Sequence, residues 1–514
     1  MKYLRIMLFV VRRALFLVLL AAVIFCVWLV SSPRPSRLGD VAFSRMYVDR
    51  NGAPLQITLT PDDKYRLYTP LSSMNPRMIE ATLLYEDRYF WHHGGVNPYS
   101  LLRALGNLVT GGGRRMGAST ITMQVVRMHD RLNTRTWTGK IQQIMGAFQW
   151  EWHYSKDEIL EAYFNLAPYG GNVEGIGAAS RVYFHKDPAD LLLVECLTLS
   201  VIPQNPQKRA PWITRQSERV LEARQRLFEK WTSLHPEDLE TQADMETIPL
   251  FFCPRDLPHI APHFITGLEE TTGNGSSKVV TTIDLSRQQQ MERVLQEYLD
   301  LHQAQGVNNA AVLLIDAPTR EVVACVGSAG FMNQKILGQN DGTRMYRSPG
   351  SALKPFIYAM ALEQGLIHPG SLLKDSPASF GGYTPENFDR SFAGPIHATD
   401  ALIQSRNVPA VYLESRLGPR NLITLLGQVG VRHLRPKKEY GLAAALGATE
   451  VSMEDLGGLY AMLANHGQWG ELVKVLTEEQ MIPIRNRNER HLSLIHISEP
   501  TRLRRISYAV FCLK

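Results

Sequence analysis

The feature that most constrains this chain lies at its start: Lys2, Arg5, Arg12 and Arg13 precede Ala14–Val30, an uncharged apolar run of 17 residues. A helix needs roughly 17 to 25 such residues to cross a bilayer. The run therefore predicts a membrane anchor whose basic flank stays in the cytoplasm, with everything after Ser31 on the outer side. A cleaved signal peptide is the alternative, but no A-x-A site follows, so the anchor is expected to stay attached. Either reading exports the remainder. At 514 residues, the chain is long enough for two or three domains of roughly 100 to 200 residues each.

Composition, 45% hydrophobic and 20% charged, is that of ordinary globular protein. A net charge of +6 is too mild to argue for nucleic acid, and suits an anionic membrane surface or a phosphate-bearing substrate. Cys26, Cys196, Cys253, Cys325 and Cys512 form no C-x-x-C pair, so neither a zinc cluster nor a disulfide framework is indicated and they read as unpaired packing residues.

Local patterns divide the chain. After a Pro-rich exit (Ser31 to Arg37), Asn51-Gly52 supplies the turn of a hairpin between Met46-Tyr47-Val48 and Leu55-Gln56-Ile57. From Met78 to about Trp231 the apolar spacing is helical, and Ser155-Lys156-Asp157-Glu158 reads as a capping box. A polar, Pro-containing stretch from His235 to Ser277 marks a boundary. Beyond it come a strand over Val279–Ile283, a helix over Ser286–Tyr298, paired strands Ala311–Ile315 and Val322–Val326, and helices from Ser351 onward, an α/β pattern. The expected organisation is 1–35 tail and anchor, 36–60 hairpin, 61–232 helical domain, 233–300 linker, 301–470 α/β domain and 471–514 divergent tail.

Two constellations carry chemistry. In the first, Ile79, Leu83 and Glu86 share a helix face, and a carboxylate on an apolar face is costly unless paired or used. Desolvation would raise its pKa and suit it to general base or acid work; a cap or a pair with Arg88 is the bland alternative. Six cations follow between Arg114 and Lys140 (Arg114, Arg115, Arg127, Arg131, Arg135, Lys140) against one acid, Asp130, which suits a pyrophosphate, unless it is merely a solvated basic face. In the second, Ser351 and Lys354 are three apart at a helix start, so the amine should reach the Ser hydroxyl as its base. Ser405-Arg406-Asn407 should project Ser405 and Asn407 the same way from an extended loop.

E-D-x-x-F-x-x-H-x-G from Glu86, G-x-S-T-I-T-x-Q from Gly117 and K-x-x-I-L-E-x-Y-x-N from Lys156 resemble, in this order, the glycosyltransferase domain of class A penicillin-binding proteins. Met123 and Gly139-Lys140-Ile141-Gln142-Gln143 are similar to their 1C branch, and the likeness spans about Tyr47 to Gly467. Tyr346-Arg347-Ser348-Pro349-Gly350, the S-x-x-K and S-x-N pieces and Ala444-Ala445-Leu446-Gly447 resemble the transpeptidase domain of the same family. The resemblance implies a transmembrane helix, a mainly α, lysozyme-like glycosyltransferase domain and an incomplete α/β, serine β-lactamase-like transpeptidase domain. It further implies residence in the bacterial inner membrane with both catalytic domains periplasmic.

By resemblance, the activity is polymerisation of lipid II, with Glu86 the base that takes the acceptor hydroxyl proton. Ser119, Thr120 and Gln124 would shape the donor site and Lys140 would hold the diphosphate, while Asp87, His93, Gln143, Lys156, Glu161 and Asn165 complete the substrate-binding set. A divalent cation, Mg or Mn, at the lipid diphosphate is a further implication, although no metal site is spelled out. Ser351 would be acylated by a peptide stem or a β-lactam, Lys354 would be its base, and Ser405 and Asn407 would place the proton relay. Partners are then lipid II, the growing glycan, peptide stems, the membrane and other wall-synthesis proteins, with no nucleic acid.

Two departures matter. The family's R-K-x-x-E reads Gly139, Lys140 and Gln143 here, so a second carboxylate is absent and slower or less metal-responsive activity is expected. No K-[ST]-G follows Asn407, and Leu492–Lys514 resembles a translated sequencing adapter more than a domain, so a truncated or chimeric frame with weak acylation is expected. A lysozyme-like glycan hydrolase and a membrane-tethered β-lactam sensor or scaffold are the rival readings.

Overall fold

The computed structural model describes residues 2–39, 41–99, 119–209, 218–241, 257–271, 277–476 and 490–491. Arg114, Arg115, Gly117, Ala118, Cys253, Cys512 and the tail Leu492–Lys514 lie outside them. The chain divides into two units, 1–46 with 57–258 and 47–56 with 259–514.

The first unit is helical, as the apolar spacing predicts. Helices Ile121–His129, Trp137–His153 and Lys156–Leu166 pack on one another, as do Pro76–Glu86, Leu193–Val201 and Glu218–Thr232. One core spans them, including Met78, Phe90, Ile121, Val125, Trp150, Tyr163, Phe164, Leu197 and Trp231. The helix starts are fixed locally. Asn75, Thr120, Thr136 and Ser155 each accept a backbone N–H from the first turn, and the capping box expected at Ser155 and Glu158 is complete. A short hairpin, β3 (Pro168–Gly170) with β4 (Val173–Glu174), interrupts the helices.

At the N-terminus, helix Lys2–Ser31 contains the whole run Ala14–Val30. Among the described residues no helix is long and apolar enough to cross a membrane. The expected anchor falls partly outside that description, because the side chains of residues 1–11, 14, 15 and 18 are not part of it.

The second unit begins with the expected hairpin. Asp49 Oδ1 accepts from Asn51 and Ala53 N, and Gly52 takes φ 91°, a left-handed value that suits glycine. Its strands β1 (Met46–Val48) and β2 (Pro54–Ile57) form a sheet in the order β2-β1-β5 with β5 (Lys278–Val280). Helix Pro262–Thr271 falls in the stretch read as a boundary, helix Leu285–His302 contains the expected helix Ser286–Tyr298, and both pack on β7 (Glu321–Val326). Strand β6 (Val312–Asp316) pairs antiparallel with β7, within a residue of the expected strands. Segment 473–476 bonds to Arg320, Val322, Val280 and Thr282, extending this sheet. Helices Lys354–Glu363, Asn407–Arg416 and Met453–Ala464 enclose a separate core around Phe356, Ile357, Val411 and Leu459. Cys196 and Cys325 are buried free thiols, in keeping with packing roles.

Candidate functional site

In the first unit the site forms where helix Pro76–Glu86 ends. Glu86 is its last residue, and Oε2 accepts from Gln124 Nε2 at 2.8 Å. Oε1 is buried and has no hydrogen-bond partner. Burial raises this carboxyl above its ordinary 4.5, opposed by the Gln124 bond and by the charges of Arg209 and Arg127. Among the described residues Glu86 forms no ion pair with Arg88.

Helix Ile121–His129 carries both halves of the site. Gln124 reaches Glu86 from one side of it, while the Met123 carbonyl accepts from Gln143 Nε2 at 2.6 Å. Gln143 Oε1 in turn accepts from Lys140 Nζ at 2.9 Å, and Lys140 donates to Ser119 Oγ at 3.0 Å. Burial, then the nearby Arg127 charge, lower the Lys140 pKa from 10.5. Arg127 thus acts electrostatically on Glu86 and on Lys140. The expected set of Glu86, Ser119, Gln124, Lys140 and Gln143 is brought together around one helix.

The remaining predicted residues bond to protein partners, with His93 Nδ1 left buried and unpartnered. Asp87 binds His93 Nε2 at 3.0 Å and accepts from Ile121 N at 3.0 Å, closing the turn onto the helix N-terminus, where a carboxylate is favoured. Thr120 caps that helix and donates to Gly95 O at 2.5 Å. Lys156 donates to His93 O at 2.6 Å and Glu151 Oε1 at 2.8 Å, with its ammonium 4.4 Å from the Phe90 ring centroid. Glu161 accepts from Tyr68 Oη and Leu71 N, and Asn165, fully buried, exchanges two bonds with the Thr69 backbone. Asp87, His93, Thr120, Lys156, Glu161 and Asn165 thus tie the turn and the helices around the site together. The motif glycine Gly95 has φ 88°, and a Cβ there would lie 2.7 Å from Ala147 O.

Sequence reading missed several neighbours. Tyr163 and Tyr169 are buried with unpartnered hydroxyls, their pKa values raised by burial and then by the Glu86 charge. Glu151 accepts from Thr122 Oγ1 at 2.6 Å, and Arg209 donates to Tyr85 Oη and Val201 O, each at 2.7 Å. Tyr163 stands inside the K-x-x-I-L-E-x-Y-x-N motif and was visible there; Arg209 had no local signal.

In the second unit Ser351 is exposed in a 3-10 turn, Gly350–Leu353, and Lys354 opens the following helix. The expected Lys354–Ser351 hydrogen bond does not form. Lys354 Nζ instead donates to Ser405 O at 2.5 Å, Ser405 Oγ at 3.1 Å and Asn407 Oδ1 at 2.6 Å. Three acceptors exhaust an ammonium's three protons. Burial pushes Lys354 down to about 8. Ser405 and Asn407 do converge, though not from an extended loop: Ser405 is left-handed (φ 53°) and Asn407 begins a helix.

Behind Asn407 lies a network no motif announced. Asn387 Oδ1 accepts from Asn407 N at 2.8 Å, and Asn387 Nδ2 donates to the buried Asp375 Oδ1 at 2.8 Å. Asp375 Oδ2 accepts from Ala393 N at 2.9 Å and lies 3.6 Å from Arg406 Nε.

Residues 51–232 match the transglycosylase family and residues 310–491 the penicillin binding protein transpeptidase domain. The chain is 37% identical over 458 residues to penicillin-binding protein 1C of Escherichia coli strain K12, covering 89% of this chain and 58% of that protein. It is 29% identical to penicillin-binding protein 2D of Bacillus subtilis strain 168, covering 91% of this chain and 69% of that protein. Penicillin-binding protein 1F of the same strain is 29% identical, with 83% and 60% covered. The chain thus spans less than two thirds of the 1C relative's length. With a transglycosylase and then a transpeptidase domain on one chain, and this identity over most of its length, the protein belongs to the class A penicillin-binding proteins, close to their 1C branch.

Proposed function

We propose that the first unit is a peptidoglycan glycosyltransferase that polymerises lipid II. The observation that carries this is the buried, unpartnered Oε1 of Glu86, a carboxylate held by Gln124 through its other oxygen and raised in pKa by burial. Such a group is a competent base near neutral pH. In the step, the acceptor sugar's 4-hydroxyl oxygen bonds to the donor's anomeric carbon and its proton passes to Glu86. The anomeric C–O bond to diphosphate breaks, and its electron pair leaves on the phosphate oxygen. Lys140, steadied by Ser119 and Gln143, with Arg127 beside it, would offset the charge that develops there. Asp87, His93, Lys156, Glu161 and Asn165 act by holding this frame.

The N-terminal helix is the proposed anchor, placing both units outside the inner membrane. Supporting it, Phe16, Leu19, Val23, Ile24, Val27 and Val30 are exposed apolar side chains, a surface suited to lipid rather than water. The second unit is the proposed acyl-accepting domain: with Lys354 neutral, the Ser351 oxygen bonds to a peptide or β-lactam carbonyl carbon as its proton passes to Lys354, and the carbonyl C–N bond breaks with its electron pair and a proton going to the departing amine.

Polymerisation of labelled lipid II by the full chain, with Glu86→Gln beside it, tests the proposal. Polymer from the parent and none from Glu86→Gln is expected. Shortened glycans would favour a hydrolase, and full polymerisation by Glu86→Gln would remove Glu86 as the base.

A further inference from the structure

We propose that the diphosphate end of the first unit's site works with fixed protein cations alone, without a divalent metal ion, because Gln143 stands where a metal-binding carboxylate would be needed. The inference rests on the glycosyltransferase reading and concerns how that reading's leaving group is held.

The donor set does not fit a hard cation. Magnesium and manganese favour anionic oxygen ligands, usually one or two carboxylates beside the substrate phosphates. Gln143, only 1% exposed, has both ends of its amide committed: Oε1 accepts from Lys140 at 2.9 Å and Nε2 donates to the Met123 carbonyl at 2.6 Å. Its one acceptor oxygen is thus turned to an ammonium, where a metal ion would meet charge repulsion.

No other carboxylate can take its place from this stretch of chain. Between residues 88 and 150 the single acid is Asp130, whose Oδ1 lies against His129 Nδ1. The flanking acids are occupied: Asp87 by His93 and Ile121 N, Glu151 by Thr122 and Lys156, and Glu86 as the base facing the acceptor. Among the described residues no cluster of three or more His, Cys, Asp or Glu side chains could hold a metal.

The cationic alternative is already built. Lys140 has two of its three protons placed, on Ser119 and Gln143, and no described residue takes the third. A neutral tether leaves the lysine's charge uncompensated, whereas a glutamate would cancel it. A glutamate would also set a carboxylate oxygen against the Met123 carbonyl, two acceptors with no proton between them. The glutamine therefore matches its surroundings on both sides, and the charge it preserves is available to a phosphate oxygen.

The test uses the full chain in detergent with undecaprenyl diphosphate as the probe, titrated in EDTA and again in magnesium chloride or manganese chloride. Kd is expected to change by less than about twofold between these conditions. Gln143→Glu, checked for folding by thermal unfolding, is expected to bind about tenfold more weakly in EDTA than in magnesium. A parent chain that loses about tenfold or more in EDTA overturns the inference while leaving the glycosyltransferase reading intact. Failure to bind the diphosphate under any condition overturns both. The parent comparison decides the matter even if the variant does not fold.

Discussion

Glu86 and Lys354 are both shifted by burial toward their neutral forms, yet the two units hold them in opposite ways. Glu86 keeps one oxygen bonded and the other buried without a partner, so a proton has somewhere to go. Lys354 has all its protons committed to Ser405 and Asn407, and Ser351 is not among its partners. A general base is useful only with an open lone pair aimed at the reacting group. The first site is therefore arranged to act, while the second is arranged to hold and must release a bond before it can act.

The largest expected effect falls on the open base. Glu86→Gln should lower the polymerisation rate by about 10²–10⁴-fold in a lipid II assay, the usual contribution of a positioned base. It should leave thermal stability equal or higher at neutral pH, because it removes a buried charge. The pH dependence has a definite sign. Glu86 must be ionised to accept a proton, and its pKa is raised, so the acidic limb of the rate profile should lie above 4.5. By the same linkage, its contribution to folding is present at low pH and lost as pH rises through that raised value. An acidic limb at or below 4.5 would break the contrast between the two sites.

Next is the committed base. Labelling of Ser351 by a fluorescent penicillin reads this base out. What labelling occurs should rise with pH through about 8, as Lys354 loses the proton that blocks it. Rapid, pH-independent labelling would show that the lysine is not the gate.

Smaller effects probe the supports. Asp375 is fully buried and accepts from two donors beside Arg406, so Asp375→Asn turns an amide against a donor and should destabilise the second unit by about 2–3 kcal/mol in denaturant unfolding. Ser155→Ala removes a helix cap in the first unit and should cost about 1 kcal/mol by the same measurement. If the second loss exceeded the first, the rigid network would have to be sought in the helical unit instead.

Much of this was legible in the residues because it depends on short-range spacing. The capping box at Ser155, the turn at Asn51-Gly52 and the β6–β7 pair all follow from neighbours within a few positions. The first site was legible too, since its motifs place Glu86, Gln124 and Lys140 in order along one chain. The expected Ser351–Lys354 bond failed for the same reason that the others succeeded. Spacing says which residues can share a face, but long-range acceptors 51 and 53 residues away compete for the same amine and win.

The sequence by itself determined the division into a helical and an α/β part, the choice of Glu86 as the proposed base and the absence of a carboxylate at position 143. These are properties of composition and local order. Only the tertiary structure decided which partners each side chain meets: that Asp87, His93, Lys156, Glu161 and Asn165 bond within the first unit, that Gln143 accepts from Lys140, and that Lys354 donates to Ser405 and Asn407. A hydrogen-bonding group has few places to fill, and which are filled depends on partners that only folding brings within reach.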